Sequence, residues 1–421
     1  MHAPSTSVAA SAEACALFDS VMAGTWRWPD PKPVLALGYC ILKENGIGII
    51  IKKSIAPLLS LLVTNLLILT VLIFILEVIF GRWLKQDPVT AIPDIARTAG
   101  KKMLFRTGGI TGEDVLVDFA RDQYGLRGLE STSKSLALVL GGSTGIEQNV
   151  PLALTWAERV ERQLQASGVD LEIANASVSG HTLFGNAFAV DQWLSRIPVD
   201  PSVFIVYYGY NDAVYTLAGI PPQGRDFTGG NSFNLGQYFN SNSAMLILAR
   251  ELKGNYQSLV TSNRYLYDYK PSRLPSATKS KVLNVPAISA SSRSQIYKEA
   301  VNNLLKSFEK HYSDKLIIFV AQSNPNCRFS LPNNYYTHDG SRDRLCEGMA
   351  AFHRYVSSVI SGLNNNASIR NTYRYIPLYQ QNPYDRTGAS DYIHTNSRGA
   401  LGIANQLTPL LRATMKDLKT R

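Results

Sequence analysis

Four short stretches of this 421-residue chain place hydroxyl, amide and imidazole groups where acyl chemistry at neutral pH needs them. The first is Gly141-Gly142-Ser143-Thr144-Gly145, directly after the apolar run Leu136–Leu140 and before a helical pattern. A serine on such a strand-to-helix turn presents its hydroxyl at a sheet edge, with a backbone N–H beside it. The second is Asn175-Ala176-Ser177-Val178-Ser179-Gly180-His181, after Leu171–Ala174, where Gly180 offers an unobstructed N–H. The third is Gly209-Tyr210-Asn211-Asp212, after Val203–Tyr208. An amide such as that of Asn211 can donate to a developing oxyanion, and one such donor is worth roughly 3 kcal/mol of transition-state stabilisation. The fourth is Ser390-Asp391-Tyr392-Ile393-His394. An imidazole with an ordinary pKa of about 6.5 suits a general base, and Asp391, three residues earlier, can fix its tautomer.

Each stretch also has a plainer reading: a helix-capping serine, a turn glycine, an Asn-Asp turn, a capping Asp beside a surface His. His181 and His338 are rival bases, but neither has an acid at the spacing of Asp391 and His394. The Ser143 turn could also cradle a phosphate, and Gly-Gly-Ser-Thr-Gly-Ile resembles the cofactor loop of short-chain dehydrogenases. Glu147 stands where the third glycine of a dinucleotide fingerprint belongs, and Tyr-x-x-x-Lys spacing occurs only at Tyr39 and Lys43, far upstream. No His-x-x-x-His or Cys-x-x-Cys arrangement occurs. The sequence therefore calls for neither cofactor nor metal.

The elements that must position these groups are legible from periodicity. Short apolar runs recur at Leu136–Leu140, Leu171–Ala174, Val203–Tyr208, Leu316–Val320 and Tyr373–Pro377. Helical patterns at Pro151–Ser167, Gln295–His311 and Asn396–Leu411 separate or follow them. Strands alternating with amphipathic helices imply a parallel sheet covered on both faces, whose reactive groups gather at the carboxyl ends of the strands.

From about Ser135 to Ala413 the chain resembles the SGNH, or GDSL-like, hydrolases, which carry Ser, Gly, Asn and His in four blocks in this order. Here the blocks read Gly-Gly-Ser143, Gly180, Gly-x-Asn211-Asp and Asp391-x-x-His394. One departure is Gly142, where the family often has Asp. The resemblance implies a three-layer α/β/α fold with a parallel, flavodoxin-like sheet. It also implies a catalytic triad of Ser143, Asp391 and His394, and an oxyanion hole from Ser143, Gly180 and Asn211. The reaction implied is cofactor-free ester hydrolysis through an acyl-serine intermediate.

Around this domain, 135–421, the sequence suggests further parts. Ser54 to Leu76 contains no charged residue, and 54–80 is long enough to cross a bilayer as one transmembrane helix. Residues 1–53 form an extension of no assigned role, and 81–134 read as a linker with short helices. An insertion at about 213–294 carries Tyr265, Tyr267 and Tyr269 and is expected to act as a lid. Cys327 and Cys346 fall together after the span, so a disulfide would place the catalytic part on an oxidising, extracytoplasmic side.

The net charge of +10 is spread without basic runs, which argues against nucleic acid and fits anionic lipid or glycan surroundings. The expected substrate is an O-acyl, most simply O-acetyl, ester of a cell-envelope glycan or a lipid ester. Acyl transfer with the same triad, a lipase or thioesterase activity, and glycan binding on an inactive scaffold are the alternatives.

Overall fold

The computed structural model describes residues 48–81, 88–107, 115–129, 135–217, 243–246, 248–249, 252, 266–269, 290–331, 334–337, 344–363, 369–390 and 393–419. The chain divides into two compact units, Met1–Phe80 and Gly81–Arg421.

In the first unit, helix α1 spans Gly48–Phe80. Its stretch Leu59–Phe80 is long and apolar enough to cross a membrane, about 33 Å at the helical rise. Its large apolar side chains, among them Leu66, Phe74 and Ile79, are exposed, which a helix buried in a core would not tolerate. The greater part of the extension, residues 1–47, lies outside the described residues.

In chain order the second unit runs α2 (Pro93–Thr98), β1 (Lys102–Thr107), β2 (Val115–Ala120), β3 (Leu136–Gly141), the one-turn α3 (Ser143–Ile146) and α4 (Trp156–Ala166). It continues through β4 (Glu172–Asn175), α5 (Leu183–Gln192), β5 (Val203–Tyr208), α6 (Tyr210–Leu217), β6 (Leu266–Tyr269) and α7 (Ala290–His311). It ends with β7 (Leu316–Ala321), β8 (Cys327–Leu331), β9 (Asn334–Thr337), α8 (Arg344–Leu363), β10 (Thr372–Ile376) and α9 (Ser397–Lys419).

The central sheet has the order β10-β7-β5-β3-β4, and every pairing in it is parallel. Side chains alternate between its two faces, as the pleat requires. Leu136, Leu138, Leu140, Phe204, Val206, Ile317 and Phe319 point to one core, with residues of α5, α7 and α8. Ala137, Val139, Ile205, Tyr207, Ile318 and Val320 point to the other, against Trp156, Val160 and Leu164 of α4 and Ile403 and Leu407 of α9. The result is a three-layer α/β/α fold. Taken by sequence, the five strands stand in the order 2-1-3-4-5, the flavodoxin-like arrangement.

The five expected strands and three expected helices form within a few residues of the predicted limits, except at two helix starts and at the end of α9, which runs to Lys419 rather than Leu411. Pro151–Ser167 is split: a 3-10 turn covers Leu152–Leu154, and Thr155 caps α4 by accepting from the Glu158 N–H. Leu154 therefore lies 38% exposed off the packed face rather than on it. Helix α7 begins five residues before the predicted Gln295, at Ala290.

Residues 81–134 hold more than a linker. Their strands β1 and β2 pair antiparallel, and β6, from within the insertion, adds parallel to β1. Met103, Val117 and Phe119 pack on Ile146, while Ile95 and Leu126 enter the main core. Six-residue strands joined across gaps leave too little periodicity to recognise from sequence alone. Tyr267 and Tyr269 lie on β6; Tyr265 and most of the insertion lie outside the described residues.

Candidate functional site

The order of strands reverses between β3 and β5, and an open α/β sheet has its crevice at that switch point. Ser143 follows the end of β3 and Asn211 follows the end of β5, so the topology alone delivers both to one edge. Ser143 opens α3, whose turn is closed by Gly145 and Ile146 N–H bonds to the Gly142 carbonyl, 3.0 and 3.2 Å. The serine, Asn211 and His394 are each half-buried, as groups that meet a substrate must be.

Asn211 donates from Nδ2 to the carbonyl of His181 at 2.9 Å, which fixes the amide and leaves its second N–H for another acceptor. A Cβ on Gly142 would stand 2.4 Å from that nitrogen and 3.1 Å from the same carbonyl. The two strand ends therefore approach so closely that any side chain at 142 must displace the Asn211 amide. Gly180, next to His181, has φ +84°, a left-handed conformation natural to glycine, and the Tyr215 hydroxyl lies 3.6 Å from the place of its missing Cβ. Among the described residues the N–H groups of Ser143 and Gly180 have no acceptor.

The loop bearing His394 is stitched to the turn bearing Ser143. Ser390 N–H donates to the His394 carbonyl at 2.7 Å, and Ala389 bridges to Thr395, closing a narrow loop. Asn149 Nδ2 reaches the Ser390 hydroxyl at 2.7 Å and the Thr395 carbonyl at 3.1 Å. The Thr395 hydroxyl donates to Glu147. Asn396 then caps α9 by accepting from the Arg398 and Gly399 N–H groups. Asp391 lies outside the described residues, as does the rival base His338.

Sequence reasoning missed the supports beneath these loops. Asn175 donates to the Gly145 carbonyl at 2.7 Å and accepts from Ser177 N–H, joining the first two blocks. Arg127 pairs its backbone with Asn175, 3.0 and 2.8 Å, as an antiparallel bridge at the carboxyl end of β4. Its guanidinium donates to the carbonyls of Ile146, Glu147 and Val150 at 2.5, 2.9 and 2.7 Å. Arg121 donates to the Ser177 carbonyl at 2.8 Å. Both arginines lie against Phe119, and burial lowers each to about 10, so both stay charged at neutral pH. Their one signal in sequence is the close spacing of two arginines just before the first core strand.

Among the described residues, the other three histidines are buried or paired with an acid. His181 is buried, and desolvation, with help from Arg121, lowers it to about 3. His353 is also buried and lowered to about 3 by desolvation; its Nε2 meets the Gln322 carbonyl at 3.1 Å and its ring stacks on Tyr379. His311 Nε2 lies 2.7 Å from Asp191, and the Ser307 hydroxyl donates to the other oxygen of that carboxylate. In that cluster hydroxyl and imidazole share one acid and do not meet each other, on helices rather than at strand ends. Cys327 and Cys346 are joined as a disulfide between the start of β8 and the start of α8. Among the described residues no group of three or more His, Cys, Asp or Glu side chains could hold a metal ion.

A doubly wound parallel sheet with serine, asparagine and glycine loops at its switch point defines the class of the molecule. No protein-family model matches the chain, and no curated protein matches it. Similar solved structures include a lipolytic protein of the G-D-S-L family from Veillonella parvula DSM 2008, 12% identical, covering 65% of this chain and 95% of that one with a TM-score of 0.35. The psychrotrophic esterase EstA from Pseudoalteromonas sp. is 11% identical over 67% of this chain and 99% of its own, TM-score 0.34. A catalytic mutant of Axe2, an acetylxylan esterase from Geobacillus stearothermophilus, is 11% identical over 66% and 94%, TM-score 0.35. At these identities and scores the fold rests on this chain's own strand order and register.

Proposed function

We propose that this chain is a membrane-anchored serine esterase of the SGNH type, cleaving an O-acyl, most simply O-acetyl, ester of a cell-envelope glycan. The observation that supports the proposal is the close approach of Gly142 to the Asn211 amide, a group able to donate to an oxyanion beside the Ser143 turn.

In the reaction, His394 takes the Ser143 proton as Oγ attacks the ester carbonyl. The Ser143 and Gly180 N–H groups and the Asn211 amide receive the negative charge on the carbonyl oxygen. Collapse of the tetrahedral intermediate breaks the ester C–O bond, and His394 returns its proton to the leaving alcohol. Water, deprotonated by His394, then attacks the acyl-serine; the acyl C–Oγ bond breaks, His394 returns the proton to Ser143 Oγ, and the acid is released. Asp391 orients the imidazole and stabilises its cation. Asn149 and Thr395 support this reading by tying the His394 loop to the Ser143 turn.

Helix α1 supplies the anchor, and the Cys327–Cys346 bond supports an extracytoplasmic site, since disulfides persist on the oxidising side of a membrane. Anchoring by one helix keeps the site near envelope glycans. The test is ester release from acetylated glycans and p-nitrophenyl acetate, with covalent labelling by a fluorophosphonate. Ser143→Ala and His394→Ala are expected to abolish both while the fold persists. Retained cleavage in either variant would overturn the assignment.

A further inference from the structure

Glu147 is fully buried four residues after Ser143, in a left-handed conformation with φ 47°. A side-chain-bearing residue holds that conformation only where its surroundings impose it. Here they do. One carboxylate oxygen accepts from the Trp156 N–H at 2.6 Å, at the start of α4, and the other accepts from the Thr395 hydroxyl. The Glu147 carbonyl accepts from Arg127. Glu147 thus ties together the nucleophile turn, the first helix after it and the loop that carries His394. Both of its oxygens are occupied and neither is open to a ligand, so it has no direct part in bond making.

We infer that Glu147 is a positioning residue that, through the Thr395 hydroxyl, sets His394 at working distance from Ser143. This rests on the Ser143–His394 reading above. The support for it is that Thr395 directly follows His394 and its hydroxyl is a side-chain tie from that residue to the turn after Ser143. The second tie, from Asn149, grips the backbone of Thr395 and the far side of the loop at Ser390. Losing the hydroxyl therefore loosens the base without freeing the whole loop. A misplacement of about 1 Å between reacting groups costs on the order of a hundredfold in rate.

The test uses the full chain in detergent and compares Thr395→Val, which keeps the shape, with Thr395→Ser, which keeps the hydroxyl. The rate of fluorophosphonate labelling reports Ser143 activation, and p-nitrophenyl acetate kinetics separate kcat from KM. Thr395→Val is expected to lose on the order of 10- to 100-fold in labelling rate and kcat. Its KM should stay within about threefold and its melting temperature within a few degrees. Thr395→Ser should recover most of the rate.

Equal rates for Thr395→Val and the parent overturn the inference, as do equal losses in both variants, which would indicate packing alone. Should Thr395→Val fail to fold, Thr395→Ala, which also removes the hydroxyl, carries the same expectation. A parent that does not label, or that labels equally with His394→Ala, overturns the Ser143–His394 reading and the inference with it.

Discussion

The missing side chain of Gly142 is what lets the amide of Asn211 reach its place: a β-carbon there would lie 2.4 Å from Nδ2. The amide is also held by its bond to the His181 carbonyl, so moving aside costs it that geometry. A methyl at this position meets the tip of one side chain and one carbonyl, and both can yield without unfolding the sheet. The displaced group is the proposed oxyanion donor. Gly142→Ala should therefore lower kcat on the order of 100-fold, close to the loss of one oxyanion donor, with the melting temperature changed by only a few degrees. Steady-state kinetics beside thermal unfolding check this. A variant with full activity would mean that the Asn211 amide has no part in the chemistry.

Arg127 holds three carbonyls of the segment that follows Ser143, and Arg121 holds the carbonyl of Ser177 in the next block. Removing Arg127 leaves buried acceptors unpaired, each worth roughly 1 to 3 kcal/mol. Removing the buried charge offsets part of that loss. Arg127→Met should destabilise the catalytic unit by about 3 kcal/mol in urea unfolding. By the same reasoning a fragment beginning at Ser135 should fail to fold, since it lacks both arginines together with Ile95 and Leu126. A fragment beginning at Gly81 should unfold cooperatively. A cooperative transition in the shorter fragment, matching that of the longer, would show that residues 81–134 are dispensable.

Much of this was legible in the sequence because the core strands are apolar throughout and bounded by Gly and Asn turns. A run such as Val203–Tyr208, buried on both faces, admits few other readings. Ser143, Gly180 and Asn211 stand after the ends of three of those runs, whereas His394 is marked by its spacing from Asp391. The supports were not legible. Arg121 and Arg127 act through backbone carbonyls, which leave no trace in residue type. Glu147, which from sequence only marked a departure from a dinucleotide fingerprint, proves to be a buried tie between two loops some 250 residues apart in the chain, joined at Thr395. Strands β1 and β6 pair across more than 150 residues, and nothing local announces such a partner.

The burial of Glu147 has a consequence for stability against pH. Desolvation pushes its carboxyl up to about 7, against the pull of the Thr395 and Trp156 hydrogen bonds and the charges of Arg127 and Arg159; the buried Tyr207 phenol also faces it. In the unfolded chain the same group titrates near 4.5. Below that pH both states hold the proton and the carboxyl costs nothing. Between 4.5 and 7 the folded protein holds a proton that the unfolded chain has released, so stability falls as pH rises. Above about 7 the loss is complete, on the order of 3 kcal/mol. His181 and His353, both lowered to about 3, act in the opposite sense: the unfolded chain takes up their protons below about 6.5, so they weaken the fold as pH drops. Their contribution is common to the parent and to Glu147→Gln, and it cancels in the difference between them. Urea unfolding of both proteins at a series of pH values should therefore show Glu147→Gln gaining on the parent as pH rises from 4.5 to 7.5. A difference that stays flat across that range would mean that the carboxylate is ionised at little cost, and that the tie to Thr395 is made by a charged group throughout.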